Sequence, residues 1–223
     1  LVDTGPDPDA LARCLTSVGV TEIPLLVITH SHADHTAGLP GVAGRLPVTM
    51  VLVGPSISDS PNSPLAMVGL PTPTSTAAGD VVQLGSVRWT TLAAGPVIGM
   101  LASTGPEDAI ANDSGVVGLI ETTALRVLVT GDIEVAGQQA LVASGADLRA
   151  DVLVVPHHGS AKQEPTFLKA VAAPIALVQV GEHNDYGHPA DTTLRQLRAT
   201  ASTAFRTDLQ RALPVSTDAS RVI

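Results

Sequence analysis

Sulfur is almost absent: Cys14 is the only cysteine in 223 residues, so no internal disulfide can form and no thiolate metal cluster can be built. Its expected place is that of a small apolar residue buried on a helix. Aromatic residues are scarce at 2%, which removes most of the stacking platforms expected of a single-strand binder. Charged residues make up only 15% and lean to acid, with a formal net charge of −9, which disfavours a broad electrostatic footprint for nucleic acid. Long apolar runs are missing too. Hydrophobic residues reach 44%, yet no run approaches the roughly 18 to 20 residues of a membrane span, and a soluble chain with no membrane insertion of its own is expected. No basic n-region or cleavage site stands before LVDTG at residues 1–5, which reads as the end of a strand entering a turn; the expectation is a fragment of a longer protein. The length suits a single domain over residues 1–223 with a sizeable core.

Residues 7–18 place Leu11, Leu15 and Val18 at helical spacing behind Asp7-Pro8, a cap followed by a first-turn proline. Residues 25–29 (LLVIT) form a short β-rich run of the kind found in a buried strand. Further strands are predicted at residues 48–53, 81–84, 87–92, 115–121, 125–129, 151–155 and 175–180, and helices at 134–143, 165–172 and 191–199. Strands cluster in the first half and alternate with helices in the second. An α/β fold is therefore predicted, and an αββα sandwich of two facing sheets with helices outside fits better than a doubly wound sheet. Residues 55–64 and 71–79, rich in Pro, Ser, Thr and Gly, read as surface loops.

The strongest chemical signal is THSHADHTAG at residues 29–38. In an extended segment His30 and His32 point to one side and can grip one ion, while Asp34 and His35, from the turn beyond, can grip a second. Asp132, in LVTGDIE after an apolar strand, is presented where Gly131 lets the chain turn sharply. Its carboxylate could bridge two cations, or it could cap a helix N-terminus. DVLVVPHHGS at residues 151–160 repeats the arrangement of a buried strand followed by polar residues. On an extended chain adjacent side chains point opposite ways, so only one of His157 and His158 is expected to face a given ion. His188, in DYGHP, could be a ligand, a proton donor to the leaving group or a loop histidine. Asp3 suits an anchor for the metal loop better than a ligand. Asn112, Asp113 and Ser114 could line the same cleft or simply form a turn.

LVDTG, THSHADH, LVTGDIE and PHHGS, in this order, resemble the metallo-β-lactamase superfamily. With ANDSGVV, ADVLVVPHHGS, VGEHNDYGHP and a closing FRTD, the chain is similar to the C-terminal domain of ComEC-type DNA-internalisation competence proteins, over nearly its whole length. The resemblance implies the metallo-β-lactamase type of αββα sandwich, with two divalent ions: His30 and His32 on one, Asp34 and His35 on the other, Asp132 bridging, and His158 completing the second site. It also implies a nuclease acting on DNA during competence uptake, beside a transmembrane channel region of the same parent protein, on the extracytoplasmic face of a bacterial cell membrane. The sequence departs from the superfamily pattern in having no histidine between His35 and Asp132, so the third imidazole of the first site is missing; Asn112 or Asp113 falls near that position.

Imidazole and carboxylate donors without sulfur suit zinc or manganese, with magnesium admissible if oxygen dominates. The chemistry expected is hydrolysis of a phosphodiester in which Asp34 and Asp132 hold the ions and His157 or His188 protonates the leaving oxygen or holds the phosphate. Two other readings stay open: a hydrolase of a small ester, lactone or phosphodiester, and a non-catalytic module that docks DNA.

Overall fold

A computed structural model describes residues 1–58, 69–95, 107–210, 214–218 and 221–222. The parts of the predicted loop 55–64 beyond residue 58 lie outside the described residues. The first layer begins with helix α1 (Pro8–Ser17), where the Asp7 carboxylate accepts from the Asp9 and Ala10 amides at 2.9 Å and Pro8 opens the first turn. Cys14 is exposed, contrary to expectation. It precedes Leu15, the buried residue of this helix, by one position, and the roughly 100° step per residue turns it off the packed face.

Strands β1 (Ile23–Ile28), β2 (Val48–Val53) and β3 (Thr74–Ser75) form a parallel three-stranded sheet, with Val2 bridging to Val27 beside β1. The short helices α2 (Ala33–Thr36) and α3 (Pro55–Ser58) follow β1 and β2. The second sheet has seven strands, built from β4 (Val81–Leu84), β5 (Val87–Ala93), β6 (Val117–Glu121), β7 (Arg126–Val129), β8 (Val152–Val154), β9 (Ile175–Val178) and β10 (Thr203–Arg206). It is antiparallel from β4 to β7 and parallel from β7 to β10. The helices between its strands are α4 (Glu107–Asp113), α5 (Val135–Ala143), α6 (Pro165–Val171) and α7 (Asp191–Ala199), and α8 (Thr207–Gln210) follows β10.

Alternation along the strands explains the layers. Leu25 and Val27 of β1 join Leu52, Trp89 and Val116 in a core between the sheets. Leu26 and Ile28 face the other way, with Leu15, Leu39 and Val42. On the far side of the large sheet, Leu119, Leu128 and Leu153 pack with Leu141 of α5, Phe167 of α6 and Leu197 of α7. This is the expected sandwich. Gly118 is dictated by the inner core, because a Cβ there would lie 2.0 Å from the Trp89 ring.

The parallel half of the large sheet matters for function. β7, β8 and β9 run the same way, so their C-terminal ends open onto one edge, where the chain leaves strand geometry and exposes its polar groups. The end of β1 meets that edge: the Thr29 carbonyl accepts from the Val116 amide at 2.8 Å.

Candidate metal centre

Asp3 fastens the first loop. Its Oδ1 accepts from the Thr29 amide and its Oδ2 from the Thr29 hydroxyl, each at 2.8 Å, and Oδ2 lies 2.7 Å from Nδ1 of His35. Thr4 adds its amide and hydroxyl to the His35 carbonyl, both at 2.9 Å. Gly38 lets the loop close, since a Cβ would sit 2.1 Å from the Thr4 carbonyl oxygen. Residues 3–5 and 29–38 are thus laced together.

The second loop turns at Gly131, whose φ of +52° and close approach to Thr29, 2.9 Å from a built Cβ, both require glycine. Asp132 does not cap a helix. The N-cap of α5 is Glu134, and the Glu134 and Gly137 amides donate to Asp113 Oδ1 at 2.6 and 3.0 Å. Asp113 therefore secures the start of α5. Burial raises the Asp113 pKa, and those two amide bonds oppose the shift. Asn112 turns to Glu134 as well, with Nδ2 3.4 Å from Oε1.

Three separate segments converge. Ligand-type atoms of Asp34, His35, Asp132 and His158 all lie within 4.8 Å of one another. Asp132 sits at the centre: Oδ1 is 3.3 Å from His35 Nε2, and Oδ2 is 3.5 Å from His158 Nε2 and 3.9 Å from each Nε2 of His30 and His157. Asp34 Oδ2 lies 3.2 Å from His158 Nε2 and 3.7 Å from His35 Nε2. His30 and His32 are also brought together, with Nε2 of the first 3.0 Å from Nδ1 of the second. His188 stands outside the four-residue group, its ring centroid 5.6 Å from that of His157.

His157 and His158 do not lie on an extended chain. Both have positive φ, 50° and 53°, in the turn Pro156–Gly159, so the expected opposition of their side chains does not hold. Both Nε2 atoms reach toward Asp132 Oδ2, while Nδ1 of His157 lies 3.3 Å from Glu134 Oε1. Glu134 is itself gripped by Lys162 Nζ, 2.7 Å from each carboxylate oxygen. Sequence reasoning gave no site role to Glu134, the last residue of LVTGDIE, or to Lys162.

The ring nitrogens test whether these residues suit a cation. Nδ1 of His35 is held by Asp3, Nδ1 of His158 by the Gln179 carbonyl at 2.8 Å, and Nδ1 of His30 by the Thr29 hydroxyl at 3.1 Å. The Thr29 hydroxyl donates onward to Asp3, so it can accept from His30. In the neutral form of each ring the proton is thereby drawn to Nδ1 and the Nε2 lone pair is aimed inward, the arrangement of metal-ligating histidines. Nε2 of His35 is buried without a hydrogen-bond partner. The residues fit a divalent ion.

Electrostatics agree. Burial would lower the His35 imidazole, but the neighbouring carboxylates of Asp132 and Asp3 raise it to about 10. His158 behaves alike: burial opposes, Asp132 and Asp34 prevail, and the value is again about 10. Burial would raise Asp132, yet contact with His158 and His35 holds it far below the usual carboxylate range. His158 brings Asp34 down to about 2. Burial, aided by the charge on His35, lowers His30 to about 3, so its ring is neutral. Two imidazolium charges thus stand where cations would stand. The cluster borders a cavity of about 90 Å³ whose walls include Asp3, His35, Asp132 and His158.

Comparison with known proteins places the chain. It is 25% identical over 199 residues to ComE operon protein 3 of Bacillus subtilis, covering 87% of this chain and 24% of that protein. The chain thus spans about a quarter of the length of that relative. Among solved structures, the metallo-beta-lactamase fold protein YhfI from Bacillus subtilis aligns with a TM-score of 0.57 at 14% identity, over 92% of this chain and 82% of that one. CmlA, a diiron beta-hydroxylase from Streptomyces venezuelae, aligns with a TM-score of 0.57 at 19% identity, over 83% of this chain and 44% of that one. These likenesses concern the fold. A family model described as the metallo-beta-lactamase superfamily matches residues 1–183, and with the fold in agreement the chain belongs to that superfamily.

Proposed function

We propose that this chain is a metal-dependent phosphodiesterase with DNA as its substrate, residues 1–223 forming one hydrolase domain. The observation that carries the reading is the convergence of Asp34, His35, Asp132 and His158 from three segments, with the Nδ1 atoms of His35 and His158 tied back so that both Nε2 atoms face the centre. Asp34, His35, Asp132 and His158 would hold one ion, and His30 and His32, with Asp132, would hold a second. Zinc or manganese suits this donor set. Such ions supply Lewis acidity toward a phosphoryl oxygen and activate water at neutral pH.

The chain's own residues do the rest. Asp132 holds the two positions together, Asp34 closes the outer side, and Asp3 and Thr29 keep the first loop in register. His157, lodged between Asp132 and Glu134, and His188 beyond it stand where a leaving oxygen would take a proton or a phosphate would be held. DNA is favoured by the resemblance to DNA-internalisation competence proteins and by the similarity to ComE operon protein 3. On that reading the domain works beside a transmembrane channel region of its parent protein, on the extracytoplasmic face of the cell membrane. Among the described residues no helix is long and apolar enough to cross a membrane.

The net charge of −9 favours a second reading, a hydrolase of a small ester or phosphodiester. A substrate panel separates the two. Manganese- or zinc-loaded protein is offered a single-stranded oligonucleotide, bis-p-nitrophenyl phosphate and a p-nitrophenyl ester. Cleavage of the oligonucleotide, abolished by chelator, supports the nuclease; cleavage of the ester alone overturns it, and binding of DNA without turnover leaves a docking module.

A further inference from the structure

The rings beside the metal centre continue outward. His158 and His157 have centroids 6.2 Å apart, His157 and His188 are 5.6 Å apart, and His188 and Tyr186 are 6.0 Å apart at an interplanar angle of 20°. Tyr186 is the only tyrosine of the chain and is 85% exposed. In a protein with 2% aromatic residues, the position is informative. Trp89 and Phe167 are buried in the cores and Phe205 is half-buried, whereas Tyr186, the one fully exposed large aromatic ring among the described residues, stacks on His188 beyond the metal centre.

That loop is held in place. The Asn184 side chain accepts from the His188 amide at 3.0 Å and donates to the His188 carbonyl at 3.1 Å. At its base, the Thr207 hydroxyl accepts from the Val180 amide at 2.8 Å and donates to the Val180 carbonyl at 2.7 Å. Of the exposed side chains flanking Tyr186 in this loop, Glu182 and Asp185 are acidic and His183 is an imidazole. The two carboxylates favour an uncharged base over a phosphate in this loop, while the metal centre would attract the phosphate. An exposed π-face suits the face of a nucleobase.

We propose that Tyr186, backed by His188, is a stacking rest for the base of a nucleotide adjoining the scissile phosphate, making the site selective for single-stranded or frayed DNA over base-free phosphodiesters. This rests on the phosphodiesterase reading given above. A stack needs an unpaired base, because the face of a base within a duplex is already covered. Tyr186 acts as a positioning residue, and its contribution is to bind the base.

Because Tyr186 is the sole tyrosine, tyrosine labelled with carbon-13 in the ring gives signals from this ring alone. Zinc-loaded protein is titrated with a four-residue oligodeoxythymidylate and, separately, with an abasic phosphodiester of the same length. The expected result is an upfield shift of the Tyr186 signals with the first ligand only. Tyr186→Ala should weaken binding of the thymidylate about fivefold, the low end for one base–aromatic stack, and Tyr186→Phe should restore it. Equal ring shifts and equal affinities for the two ligands, or no response to either in protein that still cleaves oligonucleotides, overturn the stacking rest. A thymidylate-specific shift in protein that cleaves no phosphodiester overturns the hydrolase reading and leaves the base contact standing.

Discussion

Replacing Asp3 with asparagine changes almost no volume and makes a donor of the position now held by Oδ2, which accepts from the Thr29 hydroxyl and meets His35 Nδ1. Oδ1 must stay an acceptor for the Thr29 amide at 2.8 Å, so the amide nitrogen of the new side chain takes the place of Oδ2, 2.7 Å from His35 Nδ1. Two donors then face each other. The neutral His35 ring that metal binding requires then prefers its proton on Nε2, the atom that lies 3.3 Å from Asp132, instead of on Nδ1. A metal at the cluster must displace that proton against the preferred tautomer. Partners of this kind contribute about 10- to 100-fold in metal affinity, or about 1.4–2.8 kcal/mol. Competition with a chromophoric chelator measures the loss, nitrogen-15 spectra of histidine report the tautomer, and the thermal midpoint checks that the fold survives. Affinity within about twofold of the parent protein would refute the inference that Asp3 sets the tautomer of His35.

Asp132→Asn should abolish hydrolysis and lower bound metal while leaving the circular dichroism spectrum intact, because the amide keeps the shape but loses the charge that four imidazoles surround; unchanged metal content sinks the bridging role. His158→Ala should lower metal at the cluster more than His157→Ala does, since only His158 belongs to the four-residue group; metal analysis of both variants decides, and the reverse order exchanges their roles. Metal-free His35 and His158 are raised to about 10 and are protonated at pH 8, so metal uptake there should release about two protons and apparent affinity should climb with pH until about 10. Calorimetry in buffers of different ionisation enthalpy counts those protons, and a count of zero contradicts the protonation states. Gly118→Ala should destabilise the fold by about 1–3 kcal/mol through overpacking against Trp89, read as a shift in the urea midpoint.

The sequence was most legible where local chemistry and local structure coincide. Residues 48–53, 81–84 and 191–199 were expected as strand, strand and helix and are found with those bounds, since apolar alternation or helical spacing marks them fully. The strand β10, TAFR, was missed because an edge strand of four residues carries too little periodicity. Helix α4 was missed too; it ends at Asn112 and Asp113, turn-forming residues that suggest a loop. In the centre, the strand-end placement of His30, Asp132 and His158 could be read from apolar runs followed by polar residues. The left-handed turn at His157 and His158 could not, because non-glycine residues rarely adopt positive φ. Nor could the tie between Asp3 and His35, which are 32 positions apart and meet only through the sheet.

The most direct test is a metal titration of chelator-treated protein run beside cleavage of a single-stranded oligonucleotide. The donors at Asp34, His35, Asp132 and His158 should take one ion tightly, and His30 and His32, lacking a third imidazole, should take a second only at higher concentration, with cleavage appearing as the second ion binds. Cleavage that persists in chelator, or two bound ions with no cleavage of any phosphodiester, would contradict the account.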